Sequence, residues 1–186
     1  MKPAETDGAK RIQALLGDAY TVVEFEESTH SSAEAAAAIG CEVAQIAKSM
    51  LFQAADGRGV LVVASGANRV DEKKVAALLG QKIKRATPDF VAESGFVPGG
   101  VAPIGHTVPP VTFLDGDLRA HAVIWAAAGS PNAIFRLTPQ DLVTLTGAAF
   151  ADVAKTGAQT GAETGGQTGA QTGGQTGGHT GTKTGA

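Results

Sequence analysis

The C-terminal repeat limits how much of this chain can fold. From Thr156 to the last residue the sequence runs TGAQ TGAE TGGQ TGAQ TGGQ TGGH TGTK TGA, with a period of four. No position of the repeat carries a large apolar side chain. The segment therefore buries too little surface to offset a chain entropy of about 1–2 kcal/mol per residue. We predict one folded domain over residues 1–155 and a disordered tail over residues 156–186, which either has no function or tethers a partner.

The composition is that of an intracellular globular domain. Of the 186 residues 43% are hydrophobic, enough for a core, and the formal net charge of −3 gives no general attraction to nucleic acid. The single cysteine excludes an internal disulfide. The N-terminal segment MKPAETDGAK lacks the apolar region of a secretory signal, and no apolar run approaches the roughly 20 residues that span a bilayer. We expect a soluble, cytoplasmic protein without a membrane or DNA partner.

Helix signals and short apolar runs alternate along the domain. Capping residues and glycine stops predict helices over residues 5–16, 32–39, 72–79, 88–94 and 139–145, with Ser32 as the cap of the second. The predicted strands cover residues 20–25, 48–54 and 59–65 and the segments VTFLD, AVIWAAA and AIFRL. Strands outnumber helices, and the helices are interspersed. The predicted fold class is α+β, built around a curved, largely antiparallel sheet.

The segment GFVPGGVAPIGH, residues 95–106, combines four glycines and two prolines with apolar residues. Glycine lets the backbone approach a ligand and adopt positive φ, and proline limits the alternatives. Two exposed amides in such a loop, aimed at one oxygen, form an anion-binding or oxyanion-stabilising site. A tight turn between packed elements is the alternative interpretation.

Side chains that carry standard chemistry are sparse. The histidines of the domain, His30, His106 and His121, are far apart and show no metal-ligand spacing. The sequence contains no G-x-S-x-G elbow, no Walker loop and no G-x-G-x-x-G fingerprint. We therefore predict neither a metal site nor a cofactor.

A run of basic residues stands out in a chain of net negative charge. Six cations lie close together in sequence, against only Asp71 and Glu72: Arg69, Lys73, Lys74, Lys82, Lys84 and Arg85. The run fits a solvated helix face followed by a loop. It equally fits a patch that contacts phosphates without reading sequence.

Lys48 lies where an apolar segment enters a predicted strand, in QIAKSMLF. A lysine at this position either covers apolar surface with its stem while its ammonium stays in water, or it points into a cleft. In a cleft it would serve a phosphate or carboxylate ligand as a point charge.

Three segments in the same order and at the same separations closely resemble the YbaK-type aminoacyl-tRNA deacylases. They are CEVAQIAKSMLF, VVASGANRVDEKKVAALLG and GFVPGGVAPIGH. The family also includes the editing domain inserted in bacterial prolyl-tRNA synthetases. The resemblance covers about residues 20–155 and excludes the repeat. It implies a YbaK-like, barrel-like mixed sheet flanked by helices.

The resemblance also implies an activity and a set of site residues. Family members hydrolyse the ester between a wrong amino acid and the terminal adenosine of a tRNA, most often tRNA-Pro. Lys48 would contact the phosphate of the terminal nucleotide, and backbone groups of Gly99 and Gly100 would hold the aminoacyl carbonyl. The ribose 2′-hydroxyl would help a water molecule to attack, so no protein nucleophile is required. The expected substrate-binding residues are Ser65, Asn68, Asp71, Val101, Pro103, Gly105 and His106. Asp71 also fits a simple helix cap, and His106 also fits a structural role.

We therefore expect a free-standing trans-editing deacylase, because no anticodon-binding segment is recognisable in the sequence. Its partners would be mischarged tRNA, tRNA-Pro above all, and possible helpers such as prolyl-tRNA synthetase. Two alternatives remain open: a module that binds a tRNA end or a nucleotide without hydrolysis, and a hydrolase for another small acyl ester. The segments CEVAQIAKS and SGANRVD resemble the branches that remove alanine, 2-aminobutyrate, serine or threonine more than the cysteine branch.

Overall fold

The computed structural model describes residues 1–27 and 29–156. The prediction for the repeat concerns residues beyond Thr156 and lies outside this range. Over the described residues the helices are α1 Asp7–Leu16, α2 Ser32–Ile39, α3 Glu72–Leu79, α4 Pro88–Glu93 and α5 Pro139–Thr146. The strands are β1 Lys2–Pro3, β2 Val22–Glu24, β3 Ile46–Ala54, β4 Gly59–Ser65, β5 Ile83–Arg85, β6 Val111–Asp115, β7 Ile124–Ala127, β8 Ala133–Leu137 and β9 Ala149–Ala151. No helix within the described ranges is both long enough and apolar enough to cross a membrane.

All of these strands belong to one mixed sheet. Its order is β1-β2-β8-β7-β3-β4-β6-β9, and β5 pairs separately with β3. The pairings β3–β7, β4–β6 and β6–β9 are parallel, and the other five are antiparallel. This confirms the predicted α+β fold with a largely antiparallel sheet.

The sheet curves around the main core. Strands from across the sheet, from β2 to β6, send buried side chains into a single cluster that includes Val22, Leu61, Leu114 and Phe135. Strand β4 is buried on both faces: Leu61 and Val63 join this cluster, whereas Val60, Val62 and Ala64 join a second cluster on the opposite face. Successive residues of a strand point to opposite faces, so the continuous apolar run GVLVVAS suits a central strand.

The helix ends follow the capping signals of the sequence with one correction. The side chain of Ser31, not that of Ser32, caps α2 by accepting a hydrogen bond from the Glu34 amide. Thr87 and Thr138 cap α4 and α5 ahead of their prolines, as predicted. The sequence reading missed the short strands β1, β5 and β9, because segments of two or three residues show no periodicity.

One feature of β3 creates the opening that matters for function. On the edge opposite β4, β3 pairs in parallel with β7 only at Ile46 and Ala47. Pairing with β5 on this strand begins at Phe52. The segment between them, residues 48–51, lies between two partner strands, and a cleft of the domain opens there.

Candidate active site

The cleft beside the unpaired edge of β3 has a volume of about 590 Å³. Lys48, Ser49 and Met50 form its floor, and Gly99 and Val101 of the glycine-rich loop line another side. Lys48 is exposed, and its ammonium has no hydrogen-bond or ion-pair partner within residues 1–27 and 29–156. Lys48 therefore lines a cleft while its ammonium stays in water, and its contact with a phosphate remains a prediction.

Apolar side chains form one part of the wall. Ile46 lies opposite Trp125 across the parallel β3–β7 pair, and Ala127 lies opposite Ile134 across β7–β8. All four residues line the cleft, together with Ala35 of α2. An apolar pocket with a free cation beside it suits a ligand that has a small apolar group and a phosphate.

The glycine-rich loop provides backbone groups to the cleft, but only partly as predicted. Gly99 has φ +83°, a conformation that favours glycine. The Gly100 amide donates a hydrogen bond to the Val97 carbonyl at 3.0 Å. Gly100 is therefore not among the loop residues with a free amide, and its contact with the aminoacyl carbonyl remains a prediction. The amides of Gly99 and Val101 have no acceptor within the described residues.

Gly100 serves packing instead. A Cβ atom at this position would fall 2.8 Å from Cα of Ser130, closer than real Cβ contacts allow. The loop backbone therefore lies directly on the turn between β7 and β8, whose Pro131 also lines the cleft. Val101 and Pro103 are buried, which fixes the loop on its inner side.

His106 lies outside the Lys48 cleft. Its Nε2 is 3.0 Å from the Ala102 carbonyl, and its ring packs edge-on against Phe96 with centroids 4.8 Å apart. Burial lowers the pKa of His106 below its usual value, and the charge of Arg11 acts in the same direction. The ring lines a separate cleft of about 390 Å³ together with Leu51 and Phe90. These contacts fit the structural role that the sequence left open for His106, and a contact with the substrate remains a prediction.

Ser65, Asn68 and Asp71 are also absent from the lining of the cleft. Asp115 accepts hydrogen bonds from the Ser65 amide at 3.0 Å and from Nδ2 of Asn68 at 2.9 Å. Asp71 caps α3 by accepting from the amides of Lys73 and Lys74. These three predicted substrate-binding residues therefore shape the turn between β4 and α3, and the alternative of a helix cap applies to Asp71.

The basic run is divided by the fold. Arg85 lines the same cleft as Lys48, because β5 pairs with the far end of β3. The Lys74 ammonium is occupied: it is 2.9 Å from Oδ1 of Asp152 and 2.8 Å from the Ala154 carbonyl. The other four cations are exposed: Arg69, Lys73, Lys82 and Lys84.

The sequence reading missed several residues of the site. Thr29 and His30 line the cleft ahead of α2, and Trp125 forms part of its wall. No local signal marks them, since the parallel pairing of β3 with β7 brings Trp125 to Ile46. Arg11 is a further omission: it binds both ends of the glycine-rich loop from α1.

A tRNA-editing domain is the class of protein that this fold and cleft define. Residues 26–145 match the family described as "Aminoacyl-tRNA editing domain". The match spans more than half of the chain, and the protein belongs to the aminoacyl-tRNA editing domain family.

Individual relatives agree with this assignment. EbsC of Enterococcus faecalis, named as a candidate Cys-tRNA(Pro)/Cys-tRNA(Cys) deacylase, is 30% identical over 138 residues, which cover 72% of this chain and 84% of EbsC. A proline–tRNA ligase of Bacillus licheniformis is 39% identical over 133 residues, but these cover 68% of this chain and only 23% of the ligase. The crystal structure of a candidate trans-editing enzyme for prolyl-tRNA synthetase superimposes with a TM-score of 0.78 at 41% identity. It covers 82% of this chain and the whole of that chain.

Proposed function

We propose that this protein hydrolyses the ester of mischarged tRNA-Pro in trans, with alanine, 2-aminobutyrate, serine or threonine as the amino acid removed. The observation that carries the proposal is that three features line one cleft. They are the two cations Lys48 and Arg85, an apolar wall, and residues Gly99 and Val101, whose amides have no acceptor within the described residues. The family membership supports a deacylase. The relatives named after tRNA-Pro and prolyl-tRNA synthetase support the choice of tRNA.

In the proposed complex the single-stranded 3′ end of the tRNA enters along β3. Lys48 and Arg85 bind its phosphates, since a lysine serves as a point charge and an arginine can bind two phosphate oxygens. The apolar wall takes the amino-acid side chain. The amides of Gly99 and Val101 stabilise the negative charge that develops on the carbonyl oxygen.

The reaction needs no protein nucleophile. A water oxygen attacks the ester carbonyl carbon while the neighbouring ribose 2′-hydroxyl takes part in the proton transfer. The bond between the carbonyl carbon and the ribose oxygen then breaks, and that oxygen gains a proton. The products are the free amino acid and uncharged tRNA. Positioning and electrostatic stabilisation therefore supply the catalysis.

The test is a panel of tRNA-Pro molecules charged with alanine, 2-aminobutyrate, serine, threonine, cysteine or proline. We expect rapid loss of one or two of the first four esters, while prolyl-tRNA persists. An apolar pocket distinguishes one methylene by about 1–3 kcal/mol, so neighbouring substrates should differ by about 10- to 200-fold. Preferential loss of the cysteinyl ester would contradict the proposed amino acid. Binding of the tRNA without loss of any ester would favour a binding module.

A model ester without tRNA separates the remaining alternative. Because the phosphate contacts contribute to binding in the proposed complex, we expect a small alanyl ester to be hydrolysed far more slowly than the charged tRNA. Equal rates on both substrates would point to a general small-acyl esterase and would overturn the proposal.

A further inference from the structure

Helix α1 is fastened to the glycine-rich loop by a single arginine. Arg11 Nη1 donates to the Gly105 carbonyl at 2.6 Å, and Nη2 donates to the Gly95 carbonyl at 2.8 Å. Its guanidinium also lies over the ring of Phe96, 4.8 Å from the centroid. One side chain therefore bridges both ends of the loop that supplies Gly99 and Val101 to the cleft. Because an arginine fork is planar and rigid, it fixes the separation of two carbonyl groups.

The conformation of the loop at these two points depends on glycine. Gly95 has φ +94° and Gly105 has φ +85°. A Cβ atom at Gly105 would fall 2.9 Å from side-chain atoms of both Ile12 and Leu15 of α1. Helix α1 thus touches the backbone directly at the C-terminal end of the glycine-rich loop.

A second route connects α1 to the same loop. A Cβ atom at Gly8 would fall 2.1 Å from the carbonyl oxygen of Gly129, so the helix lies against the turn between β7 and β8. In the same turn, Ser130 lies against Gly100, where an added Cβ atom would fall 2.8 Å from the Ser130 Cα. The turn is therefore held between α1 and the loop, and its Pro131 lines the cleft.

We infer that Arg11 is a positioning residue for the deacylation reaction: it holds the glycine-rich loop so that its free amides face the aminoacyl carbonyl. This inference rests on the proposed function. Arg11 does not line the cleft that holds Lys48, so in this proposal it acts through the loop and not by contact with tRNA. It also lies outside residues 26–145, the part of the chain that matches the family.

The decisive comparison uses Arg11→Ala with Arg119→Ala as the matched control. Arg119 makes the same kinds of contact elsewhere: its Nε donates to the Gly116 carbonyl at 3.1 Å, and its guanidinium lies 5.3 Å from the ring centroid of Phe150. Both changes remove an exposed arginine, its bonding to backbone carbonyl groups (two for Arg11, one for Arg119) and a ring contact. Only Arg11→Ala releases the loop.

Two measurements on these variants separate positioning from tRNA binding. We expect single-turnover deacylation by Arg11→Ala to fall by about tenfold or more, because small displacements of positioning groups are costly. The tRNA dissociation constant should stay within about twofold, and Arg11→Lys should recover part of the rate, since a lysine can reach only part of the bidentate geometry. Unchanged turnover in Arg11→Ala would overturn the inference. A loss of tRNA affinity that equals the loss of rate would do so as well.

A readout that does not use activity keeps the inference separate from the proposed function. Hydrogen exchange of residues 96–105 should accelerate in Arg11→Ala and stay unchanged in Arg119→Ala. Trp125 is the only tryptophan of the chain and lines the cleft, so acrylamide quenching reports on the same opening. If the parent protein hydrolyses no ester, the proposed function fails. Faster hydrogen exchange of the loop in Arg11→Ala would still support the conclusion that Arg11 holds the loop. Equal hydrogen exchange of the loop in Arg11→Ala and Arg119→Ala would refute the role of Arg11 in holding the loop, whatever the deacylation rates are.

Discussion

Substitution of Gly8 by alanine sets local helix propensity against tertiary packing. Gly8 lies in the first turn of α1, and glycine costs a helix interior about 1 kcal/mol relative to alanine. A reading of the sequence alone therefore predicts that Gly8→Ala stabilises the protein. The structure predicts the opposite, because the new Cβ atom would lie 2.1 Å from the Gly129 carbonyl oxygen and 2.8 Å from its carbon.

The expected loss of stability depends on which groups can move away from the new Cβ atom. Real Cβ atoms essentially never approach within 3.0 Å, and both groups here are backbone, so the helix or the turn has to shift. Overpacking costs about 1–3 kcal/mol, and a rigid partner favours the upper end. Subtracting the gain in helix propensity leaves a loss of about 2 kcal/mol. A domain of this size loses about 2–4 °C in Tm per kcal/mol, so we expect a fall of about 4–8 °C.

The assay is thermal unfolding followed by circular dichroism, with Gly116→Ala as the control. At Gly116 the nearest group to a new Cβ is the guanidinium of Arg119 at 3.2 Å, which is the mobile end of a side chain. We expect the control to stay within about 2 °C of the parent protein. A Gly8→Ala protein with an unchanged or raised Tm would refute the close approach of α1 to the turn between β7 and β8.

Three further predictions concern charge. Arg85→Ala should reduce the slope of log K for tRNA binding against log salt concentration by about 0.7, the value for one phosphate of a single strand. We expect Lys10→Ala to leave this slope unchanged, and an unchanged slope in Arg85→Ala would contradict a phosphate contact by Arg85. Burial depresses the pKa of His106 in the folded protein, so the unfolded chain takes up its proton first as the pH falls through 6.5; stability is lost below that pH, and His106→Gln should flatten this part of the Tm–pH curve, while an identical curve would contradict the burial. Lys74→Ala should cost up to about 1 kcal/mol in urea unfolding, because its partner Asp152 is largely exposed; a loss well above this value would show that the contact is stronger than the geometry implies.

Local chemistry made the secondary structure predictable from the sequence. Asp71, Thr87 and Thr138 cap their helices because a short polar side chain can satisfy the free amides of the first turn. The run GVLVVAS is apolar at every position, and β4 is accordingly buried on both faces. These signals need no knowledge of the tertiary fold.

The candidate site was harder to predict from the sequence, because contacts between residues far apart in the chain bring it together. Lys48 and the glycine-rich loop stood out from their residues alone, but their roles came from the resemblance. Trp125 joins the cleft only through the parallel pairing of β3 with β7. Asn68 was assigned to the substrate, yet its amide binds Asp115, a residue 47 positions further along the chain. Arg11 reaches carbonyl groups 84 and 94 positions away, and no local pattern in α1 indicates this contact.

Gly100 shows that the sequence also does not predict a single hydrogen bond of the loop. A Gly-Gly pair in the sequence suggests two free amides. Whether an amide is free depends on the turn that the backbone adopts, and here the Gly100 amide closes a turn onto Val97. The neighbouring amides of Gly99 and Val101 have no acceptor within the described residues, and both residues line the cleft.

The most direct test of the proposed function is the single-turnover rate of alanyl-tRNA-Pro hydrolysis by the parent protein, Lys48→Ala and Lys10→Ala. Both substitutions remove an exposed lysine, but only Lys48 lines the cleft. A hydrogen bond to a charged group contributes about 1.5–3 kcal/mol, so we expect the single-turnover rate of Lys48→Ala to fall by about 10- to 100-fold. Lys10→Ala should match the parent. A Lys48→Ala protein that hydrolyses the ester as fast as the parent would contradict the assignment of this cleft as the site of deacylation.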